Sequence, residues 1–164
     1  MIMDDSTMAK AVTVRPPVAA DLPAVAGVAW RSTRAAFEHI LPAAILDRKR
    51  PEDFARRFAA RLPDLRIAVD AQGAPLGFSL MTGSHLDMLF VDPAAQGRSV
   101  GTALLADAVA RGCRTLECFA HNRLARSFYE SRGFRLCRSY RRLYEGLELP
   151  FALYALAEND PSQA

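Results

Sequence analysis

Two short segments carry residues whose types and spacing suit ligand chemistry. The first, Leu86 to Leu105, reads LDMLFVDPAAQGRSVGTALL: an apolar run, a polar loop with two glycines, and a helix start. A loop of this kind holds unpaired N–H groups at the beginning of a helix, and the helix dipole adds to their pull on negative charge, so phosphate is a natural occupant. The second, Asn122 to Phe134, reads NRLARSFYESRGF and offers an amide at a helix start and a phenol, Tyr129, two turns later. Glu117 lies just before it, and His85 and Asp87 stand at the start of the first segment. Cys113, Cys118 and Cys137 have no metal-ligand spacing, so reduced structural thiols, no metal and no covalent nucleophile are expected; Cys118 reads as core. Charge points the same way as the loop. From His121 to Arg142 seven arginines (123, 126, 132, 135, 138, 141, 142) face a single acid, Glu130, which suits an anionic ligand.

The elements that must position these groups follow from the pattern. Val12 to Arg15 predicts a strand ended by two prolines. A helix begins at Asp21, which can cap it, and reaches Trp30; a second helical stretch runs from about Thr33 to Leu41 and a third from Pro51 to Leu62. Leu65–Val69 and Pro75–Met81 predict an antiparallel hairpin around the turn residues 70–73. Leu86–Val91 is a strand leading to a helix over Val100–Arg111. Thr115–Ala120, a helix capped near Asn122 and ended by Gly133, and strands Phe134–Arg141 and Leu149–Leu156 complete the chain. Strands early and alternation late give an α/β (α+β) fold: one mixed, mostly antiparallel sheet flanked by helices.

The chain has 164 residues and 18.0 kDa, which suits one domain, assigned to 11–157, with short tails at 1–10 and 158–164. Hydrophobic residues at 51% and charged residues at 24% call for a packed core. No apolar stretch approaches the ~20 residues that span a bilayer, and MIMDDSTMAK does not start like a secretory signal, so no membrane and a cytoplasmic location are expected. The net charge of +3 comes from 19 Arg and two Lys and is weak evidence for nucleic acid, which is not expected as a partner.

Gln96-Gly97-Arg98-Ser99-Val100-Gly101 after a strand, followed at a distance by Asn122, Ala125, Phe128, Tyr129, Gly133 and Phe134, resembles the GNAT superfamily of acyl-CoA-dependent N-acetyltransferases. The first set matches that family's Gln/Arg-x-x-Gly-x-Gly/Ala loop, and the second its Asn-x-x-Ala-x-x-Phe-Tyr-x-x-x-Gly-Phe helix. The resemblance implies acetyl-CoA as cofactor, with the backbone of Leu89, Phe90 and Val91 along the pantetheine arm. Gln96, Gly97, Arg98, Ser99, Val100, Gly101 and Thr102 would then cradle the pyrophosphate, and Asn122 and Tyr129 would approach the thioester. Ser99 departs from the family, which has Gly there; at φ > 0 a side chain costs ~1–2 kcal/mol.

Direct transfer to an amine needs a proton for the departing thiolate and a neutral nucleophile. The resemblance gives Tyr129 the first task and Glu117 the second, with Asp87 and His85 as rivals. Glu117 also reads as an exposed strand residue or as a partner for a nearby Arg, and Asn122 as a helix cap. Trp30, Phe37, His39 and Ile40 lie where the family builds acceptor contacts, and His85 and Asp87 join them; helical spacing also makes Trp30 and Phe37 core. The implied activity is transfer of an acetyl group to a primary amine of a small molecule or peptide in a ternary complex. The alternatives are a catalytically weak acyl-CoA-binding module and an enzyme acting on a nucleic-acid-linked amine. A homodimer is possible, with Leu149–Leu156 available to pair across an interface.

Overall fold

The computed structural model describes residues 11–158. The tail expected at 1–10, and that at 158–164 apart from Glu158, lie outside the described residues. Seven strands form one sheet: β1 (Thr13–Arg15), β2 (Leu65–Val69), β3 (Pro75–Thr82), β4 (His85–Val91), β5 (Thr115–Phe119), β6 (Phe134–Tyr144) and β7 (Leu147–Leu156). Their order is β1-β2-β3-β4-β5-β7-β6, and every pairing is antiparallel except β4 with β5. The mixed, mostly antiparallel sheet expected from the pattern is therefore present.

Helices cover both faces. α1 (Leu22–Phe37) and α3 (Pro51–Ala60), with the short α2 (Ala43–Leu46) between them, bring Val25, Val28, Phe54 and Phe58 onto Ile67, Phe78 and Leu80. Alternation along the strands sends their other side chains to the opposite face. There α4 (Val100–Ala110) and α5 (Arg123–Glu130) pack Leu105, Ala108 and Tyr129 among Leu116, Phe134 and Tyr154, and Leu104 among Ala68, Leu76 and Ala95.

Four expectations need correction or refinement. The two early helices are one: nothing between Trp30 and Thr33 breaks the helix, and Ser32 and Thr33 are buried on its core face. Asp21 does not cap α1 with its side chain; its carboxylate is taken by Arg15 at 2.9 Å and by the Val18 N–H at 2.8 Å. Cys118 is half-buried: it packs against the core and also lines a cavity. β7 is paired along both edges, with β5 and with β6, so its backbone is already used within the chain, and the edge strands of the sheet are β1 and β6. Among the described residues no helix is long and apolar enough to cross a membrane.

Candidate active site

The parallel pair β4 and β5 starts together and then separates. Only His85↔Thr115 and Leu86↔Leu116 are in register. At the point of parting, the pairing of β3 with β4 shifts from Met81↔Leu86 to Leu80↔Met88, leaving Asp87 as the extra residue of a bulge. A bulge bends its strand and increases local twist, which accounts for β4 leaving β5 here. The wedge between them is a cavity of about 510 Å³.

One wall of the wedge is β4, of which His85 to Phe90 line the cavity; Val91 and the expected loop Gln96–Thr102 continue from it outside that lining. Beyond Val91 the chain turns through Asp92, whose side chain accepts the Ala94 N–H at 3.1 Å and also binds Arg31 of α1. Burial pushes the Asp92 carboxyl up, but the Arg31 guanidinium and the Ala94 N–H outweigh it and hold it below the ordinary range. Gln96 Nε2 donates to Val91 O at 3.4 Å, folding the loop back on its strand. Gly97 and Ser99 both have positive φ, 77° and 60°, and α4 starts immediately after them with Val100 buried. Ser99 thus has the left-handed backbone that makes its side chain costly. At Gly101 an added Cβ would stand 3.3 Å from the Phe128 ring, so a glycine lets α4 approach α5. Arg132 lies over the same ring at 3.9 Å and donates to Thr102 Oγ1 at 2.7 Å, tying the end of α5 to the start of α4.

α5 supplies the next group. Asn122 caps it, its Oδ1 accepting the Ala125 N–H at 3.2 Å, and three and seven residues from the cap Ala125 and Tyr129 fall on the same face. All three line the cavity. Tyr129 is 7% exposed, edge-to-face with Phe128 and Phe134 at 5.2 and 5.9 Å. Burial, with Cys118 and Cys113 adding to it, raises its phenol well above the ordinary tyrosine value. Such a phenol keeps its proton at any physiological pH. Burial also pushes the neighbouring Cys118 thiol up to about 11, which leaves it a poor nucleophile.

β5 contributes Glu117, its side chain 19% exposed. Arg142 of β6 donates to Glu117 Oε1 from both Nε, at 2.9 Å, and Nη2. Both bonds end on one oxygen, and Oε2 has no hydrogen bond among the described residues. The expected partnership with an arginine is present, and Glu117 lines the cavity. The rivals have partners too. Asp87 Oδ2 accepts from Thr82 and from Arg61 at 3.5 Å, and His85 Nδ1 lies 2.8 Å from Thr115 Oγ1.

Of the acceptor residues expected from sequence, Phe37, His85 and Asp87 line the cavity, and Trp30 does not. The Trp30 indole donates to Lys49 O at 3.2 Å and packs against the α1–α3 core. His39 is exposed beyond the end of α1, and Ile40 packs beside Phe37, Phe119 and Phe151. The rest of the wall was not foreseen: Arg57, Phe119, Arg142, Tyr144 and Phe151 join Phe37 and Phe90. These come from α1, α3 and four strands, and no local spacing connects them. The basic run of 123–142 also divides by partner. Arg126 donates to Tyr154 Oη at 2.8 Å, Arg132 reaches Thr102, Arg141 meets Glu148 at 3.4 Å and Arg142 meets Glu117.

Comparisons with known proteins agree with this geometry. A model described as an acetyltransferase (GNAT) domain matches residues 39–149. The chain is 35% identical over 107 residues to the peptidyl-lysine N-acetyltransferase YjaB of Escherichia coli (strain K12), spanning 65% of this chain and 71% of that protein. The solution structure of apo-form YjaB from Escherichia coli shares the fold with a TM-score of 0.73 at 24% identity, over 91% of this chain and 99% of that one. A GNAT superfamily phosphinothricin acetyltransferase from Sinorhizobium meliloti, crystallised in complex with AcCoA, shares it with a TM-score of 0.64 at 21% identity, over 87% and 86% of the two chains.

Proposed function

The chain belongs to the acetyltransferase (GNAT) domain family and is an acetyl-CoA-dependent N-acetyltransferase, and from that premise we propose that it acetylates the side-chain amine of lysine in peptides. The lysine acceptor is suggested by the relative named for peptidyl-lysine. One observation carries the mechanism: a buried phenol that retains its proton and a carboxylate with an open oxygen line the same wedge-shaped cavity.

The cofactor's needs fit the residues present. The left-handed backbone at Gly97 and Ser99 turns the chain into the N-terminus of α4, where unpaired N–H groups and the helix dipole suit a pyrophosphate. The separation of β4 from β5 leaves one edge of β4 past Leu86 without a strand partner, which suits the amide groups of a pantetheine arm. Gln96, Gly97, Arg98, Ser99, Val100, Gly101 and Thr102 hold the phosphates in this reading, Leu89, Phe90 and Val91 the arm, and Asn122 and Tyr129 the thioester end. When bound, the cofactor supplies an acyl carbonyl activated by a thiolate leaving group.

The acceptor enters along the aromatic wall of Phe37, Phe119 and Phe151. A lysine amine, with pKa about 10.4, is almost wholly protonated at neutral pH. Glu117 takes a proton through Oε2, while Arg142 fixes the carboxylate by its other oxygen. With acetyl-CoA bound, the neutral nitrogen would attack the acyl carbon as the carbon–sulfur bond breaks with its electron pair on sulfur; Tyr129 would give its proton to that sulfur and be reprotonated by the second proton that the acylated nitrogen loses, while Glu117 returns the first to solvent. Asp87 has the same open geometry, with Thr82 and Arg61 on Oδ2 and no hydrogen bond on Oδ1 among the described residues, and is the alternative base. The test is thiol release by the purified protein given acetyl-CoA and a lysine peptide, with the acetylated residue located by mass spectrometry. Release with acetyl on the side-chain amine supports the reading. Acetyl-CoA binding without transfer to any amine would support an acyl-CoA-binding module instead.

A further inference from the structure

Charge is unevenly satisfied around the cavity. Both of its carboxylates have cationic partners: Glu117 has Arg142, and Asp87 has Arg61. Arg142 is itself committed, lying over the Phe151 ring at 3.9 Å and donating to Leu143 O at 3.2 Å as well as to Glu117. Arg57 of α3 differs. It lines the cavity and has no hydrogen bond or ion pair among the described residues. A second cavity of about 340 Å³ shares Arg57 with the first and is lined also by Arg48, Lys49, Asp53 and Glu145. Within it Lys49 pairs with Glu145 at 3.6 Å and Asp53 pairs with Arg56. Arg48 and Arg57 remain as guanidinium groups without a carboxylate.

An acceptor bearing only an ammonium is repelled by such a wall. A planar guanidinium with its donors open is instead suited to a carboxylate, which it binds through two parallel hydrogen bonds. We propose that the acceptor carries a carboxylate close to its reacting amine, and that Arg57, where the two cavities meet, binds that carboxylate while the amine occupies the larger cavity. The proposal rests on the acetyl-transfer reading and adds the acceptor's class. The carboxylate has two available sources: an acidic residue flanking a lysine in a peptide, or the α-carboxylate of a free amino acid.

The experiment measures thiol release for two matched pairs: a lysine peptide flanked by glutamate against the same peptide flanked by glutamine, and free lysine against lysine amide. The expected result is a kcat/KM about tenfold higher for the acidic member of one pair, the size of one charge-assisted contact, and the pair that responds identifies the source. Arg57→Gln should bring that ratio toward one, Arg57→Lys should restore part of it, and Arg57→Glu should reverse it. Because Arg57 is exposed, these variants test charge rather than folding. Equal rates within both pairs, or a preference that survives Arg57→Gln, overturn the proposal and leave acetyl transfer standing. No thiol release from any of the four acceptors overturns the lysine-acceptor reading and the proposal with it.

Discussion

From His85 to Gly133 one continuous stretch supplies every residue proposed to hold the cofactor and give up the proton, whereas the aromatic and charged wall proposed for the acceptor comes from α1, α3, β5, β6 and β7. The first region works through backbone: a bulge at Asp87, positive φ at Gly97 and Ser99, a close helix contact at Gly101 and a cap at Asn122. Each of these restricts residue type at a fixed offset, so the requirement is written locally. The second region works through side-chain ends brought together by tertiary packing, as where Phe37 meets Phe119 edge-to-face at 4.8 Å and Arg142 covers Phe151. In the proposed reading, chemistry shared by many acceptors is held by the contiguous region, and the choice of acceptor lies in the dispersed one.

The sharpest way to break that division is Tyr129→Phe. Loss of the phenol proton should lower kcat by about 10²- to 10³-fold, with little change in the KM for acetyl-CoA, because the buried ring still packs on Phe128 and Phe134. The raised ionisation of Tyr129 sets the pH dependence too. Its acid form persists above the ordinary tyrosine value, so no falling limb from Tyr129 should appear up to about pH 10. An unchanged kcat would remove Tyr129 as the acid. Glu117→Gln should cost less, about 10²-fold at neutral pH and narrowing as pH rises toward the amine's own pKa, because there the nucleophile is already neutral. A deficit constant across pH would assign Glu117 to holding Arg142 rather than to proton transfer.

What the sequence disclosed follows the same line. The loop 96–102, the capped helix and Tyr129 are readable because each is a local pattern; Asn122, Ala125 and Tyr129 line the wedge, and the loop follows the strand that forms one of its walls. Trp30 was misplaced because helical spacing says only that a residue faces inward, not whether a core or a cavity lies there; its indole is turned to Lys49 O instead. Arg57 could not be found, since an arginine on an amphipathic helix looks like any solvated charge until the rest of the fold is known. Nor could Tyr154, wholly buried in β7, which accepts from Arg126 and donates to Glu130 and so fastens α5 to the sheet. Its partners stand 28 and 24 residues away, with no periodicity to announce them.

The Arg31–Asp92 pair joins the two regions, linking α1 to the loop that follows β4. Asp92→Asn should destabilise the protein by about 1.5–3 kcal/mol, the worth of a hydrogen bond to a charged group, and not more, because the Arg31 side chain is half exposed and its stranded charge stays hydrated. The sign with pH is fixed. A carboxyl held below its ordinary range in the folded protein contributes stability above the unfolded pKa of about 4 and loses it as pH falls through the folded value. Urea midpoints of the two proteins should therefore converge toward low pH. A gap of constant size down to pH 2 would mean that packing, not the ion pair, makes this connection.

The smallest effect separates the two meanings of a strained loop. Ser99 stands at φ 60°, where a Cβ crowds the following carbonyl, and glycine bears no such cost. If the surrounding fold imposes that angle, with Val100 buried immediately after it and Gln96 anchored to Val91, the strain belongs to the folded protein with or without ligand. Ser99→Gly should then raise stability by about 1 kcal/mol, or ~3 °C in Tm for a domain of this size, and leave the affinity for acetyl-CoA nearly unchanged. If instead the angle is imposed by phosphate contacts, the same substitution should leave Tm unaltered and tighten acetyl-CoA by up to about tenfold. Thermal unfolding and calorimetric titration of the one variant decide between these. A gain in Tm alone makes the contiguous region a preformed cradle, whereas a gain in affinity alone makes it a loop that the cofactor completes.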